Sequence, residues 1–67
     1  MLKQALTHNG LIAILRGLRP DEAAAVGQVL YQAGLRVIEV PLNSPDPYTS
    51  IRILRETLPA DCLIGAG

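Results

Sequence analysis

Apolar residues in this chain fall into short blocks punctuated by glycine, proline and charge. Leu11-Ile12-Ala13-Ile14-Leu15 is a continuous apolar run between Asn9-Gly10 and Arg16-Gly17, and five such residues suit a strand buried on both faces. From Pro20 the spacing becomes helical. Proline is tolerated at the first helical position, Asp21 and Glu22 oppose the positive end of the dipole, and Ala23, Val26, Leu30 and Ala33 make one apolar stripe. Gly34 supplies the C-terminal stop. The next strand, Arg36–Val40, is β-branched and apolar in its interior, with Glu39 as the exception.

After Pro41-Leu42-Asn43, the segment Ser44-Pro45-Asp46-Pro47 combines cap-forming side chains with prolines suited to a helix's first turn. A second helix is expected to start there, with Ile51, Leu54 and Leu58 as its buried stripe. Pro59-Ala60-Asp61 breaks it, and Cys62-Leu63-Ile64 opens a third strand that runs into Gly65-Ala66-Gly67. The order is β-α-β-α-β. Strands separated by single helices run parallel with right-handed crossovers, and a parallel sheet needs cover on both faces. Three strands and two helices cannot supply that cover. No linker, internal repeat or low-complexity segment divides residues 1–67, so the expectation is one α/β segment of a single larger domain, a barrel or a doubly wound sheet. A barrel built this way needs roughly 200 residues or more.

Length and composition strengthen that expectation. The 67 residues are 49% hydrophobic, without Trp or Phe, a core-like composition in a chain near the lower size limit for independent folding. Small self-sufficient domains usually carry disulfides or metals. Here Cys62 has no internal partner, and with His8 as the lone histidine there is no cluster at metal-ligand spacing. Six basic and six acidic residues, in no run of either sign, leave no electrostatic footprint for nucleic acid or a membrane surface. The N-terminus resembles neither a signal nor a transit peptide, and no stretch approaches the ~20 apolar residues that span a bilayer. With one unpaired cysteine, a cytoplasmic location is expected.

In either architecture reactive groups gather at the carboxyl ends of the strands. Arg16 ends the first, Glu39 lies one residue before the end of the second, and Gly65-Ala66-Gly67 ends the third. Alternation puts Ile12, Ile14 and Arg16 on one face and Val37 and Glu39 on one face of the neighbouring strand. Arg16 presents a fork of donors suited to carboxylate or phosphate; its other reading is an ion pair with Glu39 or a loop acid. Glu39 inside a strand loses hydration. It reads either as a general acid/base or as a solvent-facing or ion-paired structural residue. Gly65 and Gly67 would let the backbone approach a ligand, though a strand-end turn explains them equally. Asn43 could hydrogen-bond a substrate hydroxyl, and Ser44 could do so or cap the second helix. His8 reads as solvated and Cys62 as small apolar packing.

Together these runs carry a resemblance. Leu11-Ile12-Ala13-Ile14-Leu15-Arg16-Gly17, Pro20-Asp21-Glu22-Ala23, Ala33-Gly34, Ile38-Glu39-Val40-Pro41-Leu42-Asn43-Ser44-Pro45 and Leu63-Ile64-Gly65-Ala66-Gly67 resemble the start of the KDPG/KHG aldolase family. The Glu-Val-Pro-Leu-Asn-Ser run is closer to its 2-dehydro-3-deoxy-6-phosphogalactonate branch than to the phosphogluconate aldolases, where a threonine and an arginine usually follow the matching strand. The resemblance implies an N-terminal fragment of a class I aldolase on a (β/α)8 TIM barrel, a homotrimer when full length, without a cofactor. Such an enzyme, of galactonate catabolism, cleaves a keto-deoxy sugar acid phosphate to pyruvate and D-glyceraldehyde 3-phosphate.

By that resemblance Glu39 matches the family's proton-shuttling glutamate, and Arg16 its substrate-binding arginine. The Schiff-base lysine comes from a later strand of the family, whereas this sequence holds only Lys3, so the 67 residues alone are expected to be inactive. The family's threonine after Gly-Ala-Gly would fall just beyond Gly67. Arg19 stands where the family often has a helix-capping threonine. Two other readings stay open: a noncatalytic module that holds an anion with Arg16 and the glycine turn, and a different barrel enzyme sharing only this segment.

Overall fold

The computed structural model describes residues 5–6 and 12–67. In chain order its elements are β1 (Ala5–Leu6), β2 (Ile12–Ile14), α1 (Pro20–Gln32), β3 (Val37–Val40), α2 (Pro47–Thr57) and β4 (Leu63–Ala66). They form one sheet in the order β1-β2-β3-β4, with β2, β3 and β4 parallel and β1 antiparallel to β2. From β2 onward the expected β-α-β-α-β order holds. Consecutive parallel strands lying side by side are common to the start of a barrel and to one half of a doubly wound sheet.

The additional strand is β1, which pairs Ala5 with Ile14 and Leu6 with Ala13. These positions are symmetric about Asn9-Gly10, a dipeptide favoured in hairpin turns. Sequence reasoning used that dipeptide only as a boundary. Lys3, His8 and Leu11 lie outside the described residues.

Helix α1 begins after Arg19, whose side chain makes no capping hydrogen bond. Glu22 substitutes in part: its Oε2 accepts from the Arg19 backbone N–H at 3.0 Å, and its own N–H donates to the Arg19 carbonyl at 3.1 Å. Half of a capping box thus survives without Ser or Thr at the cap. At the other end the Gly34 N–H donates to the Tyr31 carbonyl and the Leu35 N–H to the Leu30 carbonyl, both at 3.0 Å. This is a Schellman closure, and Gly34 at φ 100° is the left-handed residue it requires. Helix α2 starts at Pro47 after Asp46, which takes a left-handed conformation at φ 44°. Ser44 does not cap it; its hydroxyl is buried without a hydrogen-bond partner among the described residues.

One face of the sheet packs on the helices. Ala13, Leu15, Ile38 and Val40 are buried there with Leu18, Ala23, Leu30, Leu54 and Leu58. The helices meet closely at Gly27, where an added Cβ would lie 2.6 Å from Leu54 Cδ2. Gly27 and Ser50 are buried although neither belongs to the expected stripes, and Ala33, placed in the α1 stripe, is exposed. The α1 stripe shifts because the close α1–α2 approach selects the position with no side chain. On the opposite face Ile12, Ile14, Val37 and Glu39 are half-buried and Leu63 is 65% exposed. The expectation of strands buried on both faces is therefore met on one face only within these residues.

Arg55 closes α2. Its Nη1 donates to the Cys62 carbonyl at 2.7 Å, and its Nη2 to the carbonyls of Pro59 at 2.8 Å and Leu58 at 3.3 Å. A cation at this end also complements the helix dipole. Arg55→Ala is expected to lower stability by about 1–2 kcal/mol in urea denaturation, through loss of three charge-assisted bonds. An unchanged midpoint would show that water replaces them without cost.

At the amino ends of β3 and β4 the Arg36 guanidinium lies 3.7 Å from the Tyr31 ring centroid. Its Nε is 3.4 Å from Asp61 Oδ2, while the Tyr31 hydroxyl donates to Asp61 Oδ1 at 2.7 Å. That bond holds the Tyr31 hydroxyl above its usual ionisation range. Beside this cluster Cys62 is fully buried, as its small apolar character suggested, and burial pushes its thiol up. A group that titrates higher folded than unfolded contributes fully below its unfolded pKa and loses that contribution as pH rises through the folded value. Stability should therefore decline above about pH 8.5, the unfolded thiol range. The decline should be shallower in Cys62→Ala, as measured by urea midpoints at successive pH values.

Candidate active site

The carboxyl ends of β2, β3 and β4 are joined by backbone hydrogen bonds. The Leu15 N–H donates to the Glu39 carbonyl at 2.9 Å, the Gly67 N–H to the Val40 carbonyl at 3.1 Å, and the Leu42 N–H to the Gly67 carbonyl at 2.9 Å. Register places Ile14, Glu39 and Gly65 side by side across the sheet. Because side chains alternate along a strand, Glu39 points to the face opposite the helices. Its neighbours Ile38 and Val40 are buried against them.

Beside Glu39 lies a cleft of about 340 Å³ lined by Ile14, Arg16, Gly17, Glu39, Pro41 and Asn43. Arg16 and Glu39, the charged residues expected at this rim, thus open onto one space. Arg16 sits in the turn after β2, exposed, and Gly17 at φ 77° allows the chain to reverse immediately behind it. Neither Arg16 nor Glu39 takes part in an ion pair among the described residues. The pairing of Arg16 with Glu39 that the sequence allowed is not formed, so both charges face the cleft.

Asn43 also lines the cleft. Gly65 lies next to Glu39, and a Cβ there would meet nothing within 4 Å. Gly67 is more constrained, since its N–H and carbonyl are both engaged. Ser44, 6% exposed, is turned into the protein. Sequence reasoning did not select the apolar wall of Ile14 and Pro41, because apolar residues at strand ends give no chemical signal. A half-buried carboxylate, a guanidinium without an ion-pair partner among the described residues and an apolar wall suit a small anionic molecule on which a proton is moved. No group of three or more His, Cys, Asp or Glu residues among those described is placed to hold a metal ion. No described helix is long and apolar enough to cross a membrane.

No family model matches the chain, and no solved structure matches it. Curated proteins do. The chain is 58% identical over 57 residues to a Rhizobium meliloti protein named "Probable 2-dehydro-3-deoxy-6-phosphogalactonate aldolase", a match covering 85% of this chain and 27% of that protein. It is 47% identical over 57 residues to the Escherichia coli 2-dehydro-3-deoxy-6-phosphogalactonate aldolase, covering 85% of this chain and 28% of that protein. The chain therefore spans about a quarter of the length of these relatives. Over most of its own length, this chain is similar in sequence to the 2-dehydro-3-deoxy-6-phosphogalactonate aldolases.

Proposed function

We propose that residues 1–67 are one segment of a single (β/α)8 barrel domain, and that the full-length protein is a class I aldolase acting on 2-dehydro-3-deoxy-6-phosphogalactonate. The observation that carries this reading is the convergence of Arg16 and Glu39 on one cleft at the carboxyl ends of parallel strands. That rim is where barrel enzymes hold their chemistry. The uncovered sheet face bearing Ile12, Val37 and Leu63 is the one that later strands of a barrel would enclose. Assembly as a homotrimer belongs to the same proposal.

In this reading Arg16 holds the carboxylate at the pyruvate end of the substrate through its fork of donors. Glu39 moves protons. A lysine supplied by sequence outside these 67 residues adds its amine to the keto carbon. Glu39 gives a proton to the carbinolamine hydroxyl, which leaves as water, and the imine forms. Glu39, now a carboxylate, takes the proton of the hydroxyl β to the imine carbon as the bond between the α and β carbons breaks. The electron pair moves to the imine nitrogen, the aldehyde leaves, and Glu39 returns the proton to the methylene carbon of the enamine, which becomes the pyruvate methyl. Hydrolysis of the imine then frees pyruvate. General acid/base help of this kind is worth roughly 10²–10⁴ in rate.

The test is borohydride reduction of the full-length protein in the presence of pyruvate, followed by intact-mass measurement. A covalent pyruvyl adduct on one lysine is the expected result. Its absence would sink the aldolase reading and leave the cleft as an anion-binding site or as part of a different barrel enzyme.

A further inference from the structure

We propose that Gly67 is a positioning residue for Glu39, its bare α-carbon providing the space in which the carboxylate lies. The inference rests on the reading of Glu39 as the proton shuttle. A Cβ built at Gly67 collides with Oε2 and Cδ of Glu39 and comes within 2.8 Å of its Cγ. Gly65, two residues earlier, is the register partner of Glu39 and has open space where its Cβ would be. The two glycines at this strand end therefore differ in function. One leaves room beside the carboxylate, and the other leaves room that the carboxylate fills.

Backbone conformation does not account for the glycine at position 67. The described glycines with positive φ are Gly17 and Gly34, so an L-residue could adopt the Gly67 backbone. What it could not do is share the volume with Glu39. Gly67 is also pinned on both sides of the β3 exit, donating to the Val40 carbonyl and accepting from the Leu42 N–H. The surface against which the carboxylate rests is thus fixed to the strand that carries Glu39. With its N–H committed to Val40, Gly67 acts through Glu39 and not through a direct donor bond to substrate.

The test is a double-mutant cycle in the full-length protein. Gly67→Ala is expected to lower kcat by about 10–100-fold, the cost of displacing a reacting group by about 1 Å, with KM changed less than about 3-fold. In a Glu39→Asp background, where the carboxylate is one methylene shorter, Gly67→Ala should lower the residual kcat by less than about 3-fold, a non-additivity that marks contact. Equal losses in both backgrounds would overturn the proposal.

Crystal structures give an arm independent of activity. Gly67→Ala should move the Glu39 carboxylate carbon by more than about 1 Å, since the methyl needs normal van der Waals separation; an unmoved carboxylate overturns the proposal even if turnover falls. If the wild type forms no pyruvate adduct, the aldolase reading fails, and this crystallographic arm still decides the placement of Glu39. Should Gly67→Ala not fold, a folded Glu39→Asp/Gly67→Ala protein supports the steric contact, and failure of both overturns it.

Discussion

Glu39→Gln in the full-length protein is expected to reduce aldol cleavage by about 10²–10⁴-fold while pyruvate binding persists. Glutamine keeps the size of the side chain and its fit against Gly67, so the shape of the cleft is retained. It cannot take up and return a proton at neutral pH, and that is the property under test. Arg16 is untouched and faces the same cleft, so in the proposed reading the anionic end of the substrate retains its cation. Two measurements separate the roles: steady-state turnover of the sugar acid phosphate, and exchange of the pyruvate methyl protons with deuterated water followed by NMR. Both should fall together. Turnover within about 3-fold of wild type would refute the assignment, since a proton shuttle contributes far more than that.

Leu54→Ala carries the largest expected loss of stability, about 3–5 kcal/mol in urea denaturation. Leu54 is fully buried between the two helices and the sheet, and its Cδ2 lies over Gly27, where α1 packs against α2. Truncation leaves a cavity that Gly27, without a side chain, cannot refill. Closing it would require the two helices to move toward each other at Gly27, where the Leu54 and Leu58 side chains hold them apart. Whole domains are stable by only about 5–15 kcal/mol, so this one truncation removes a large part of the margin. A loss below about 1 kcal/mol would mean that the helix pair relaxes into the space.

Much of this architecture is legible in the sequence because local and tertiary preferences coincide. Pro20, Glu22 and Gly34 mark the ends of α1 by backbone chemistry that needs no partner, and they fall where expected. The same holds for the alternation that turns Ile14 and Glu39 to one face while Ala13, Ile38 and Val40 go to the other. Where tertiary packing decides, the sequence is less informative. Ala33 fits a helical stripe by spacing yet lies exposed, whereas Gly27, which contributes no hydrophobicity, sits at the helix contact. β1 was missed because Ala5–Leu6 is too short to show any period, leaving Asn9-Gly10 as its one signal. At the site, Arg16, Glu39 and Asn43 were legible because a polar residue at a strand exit is conspicuous. The different surroundings of Gly65 and Gly67 were not, since they depend on where a carboxylate rests in three dimensions.

The two ends of the parallel strands carry different duties. The Tyr31, Arg36 and Asp61 cluster ties the amino ends of β3 and β4 together, one strand length away from the cleft at their carboxyl ends, or about 13 Å for four residues. Nothing in that cluster lines the cleft. A lineage or a designer can therefore exchange the cation, the ring or the acid at one end to suit temperature or pH while leaving the cleft end as it was. The converse also holds. Loops leaving the carboxyl ends can be lengthened or recast for a new substrate without spending the contacts that anchor the strands.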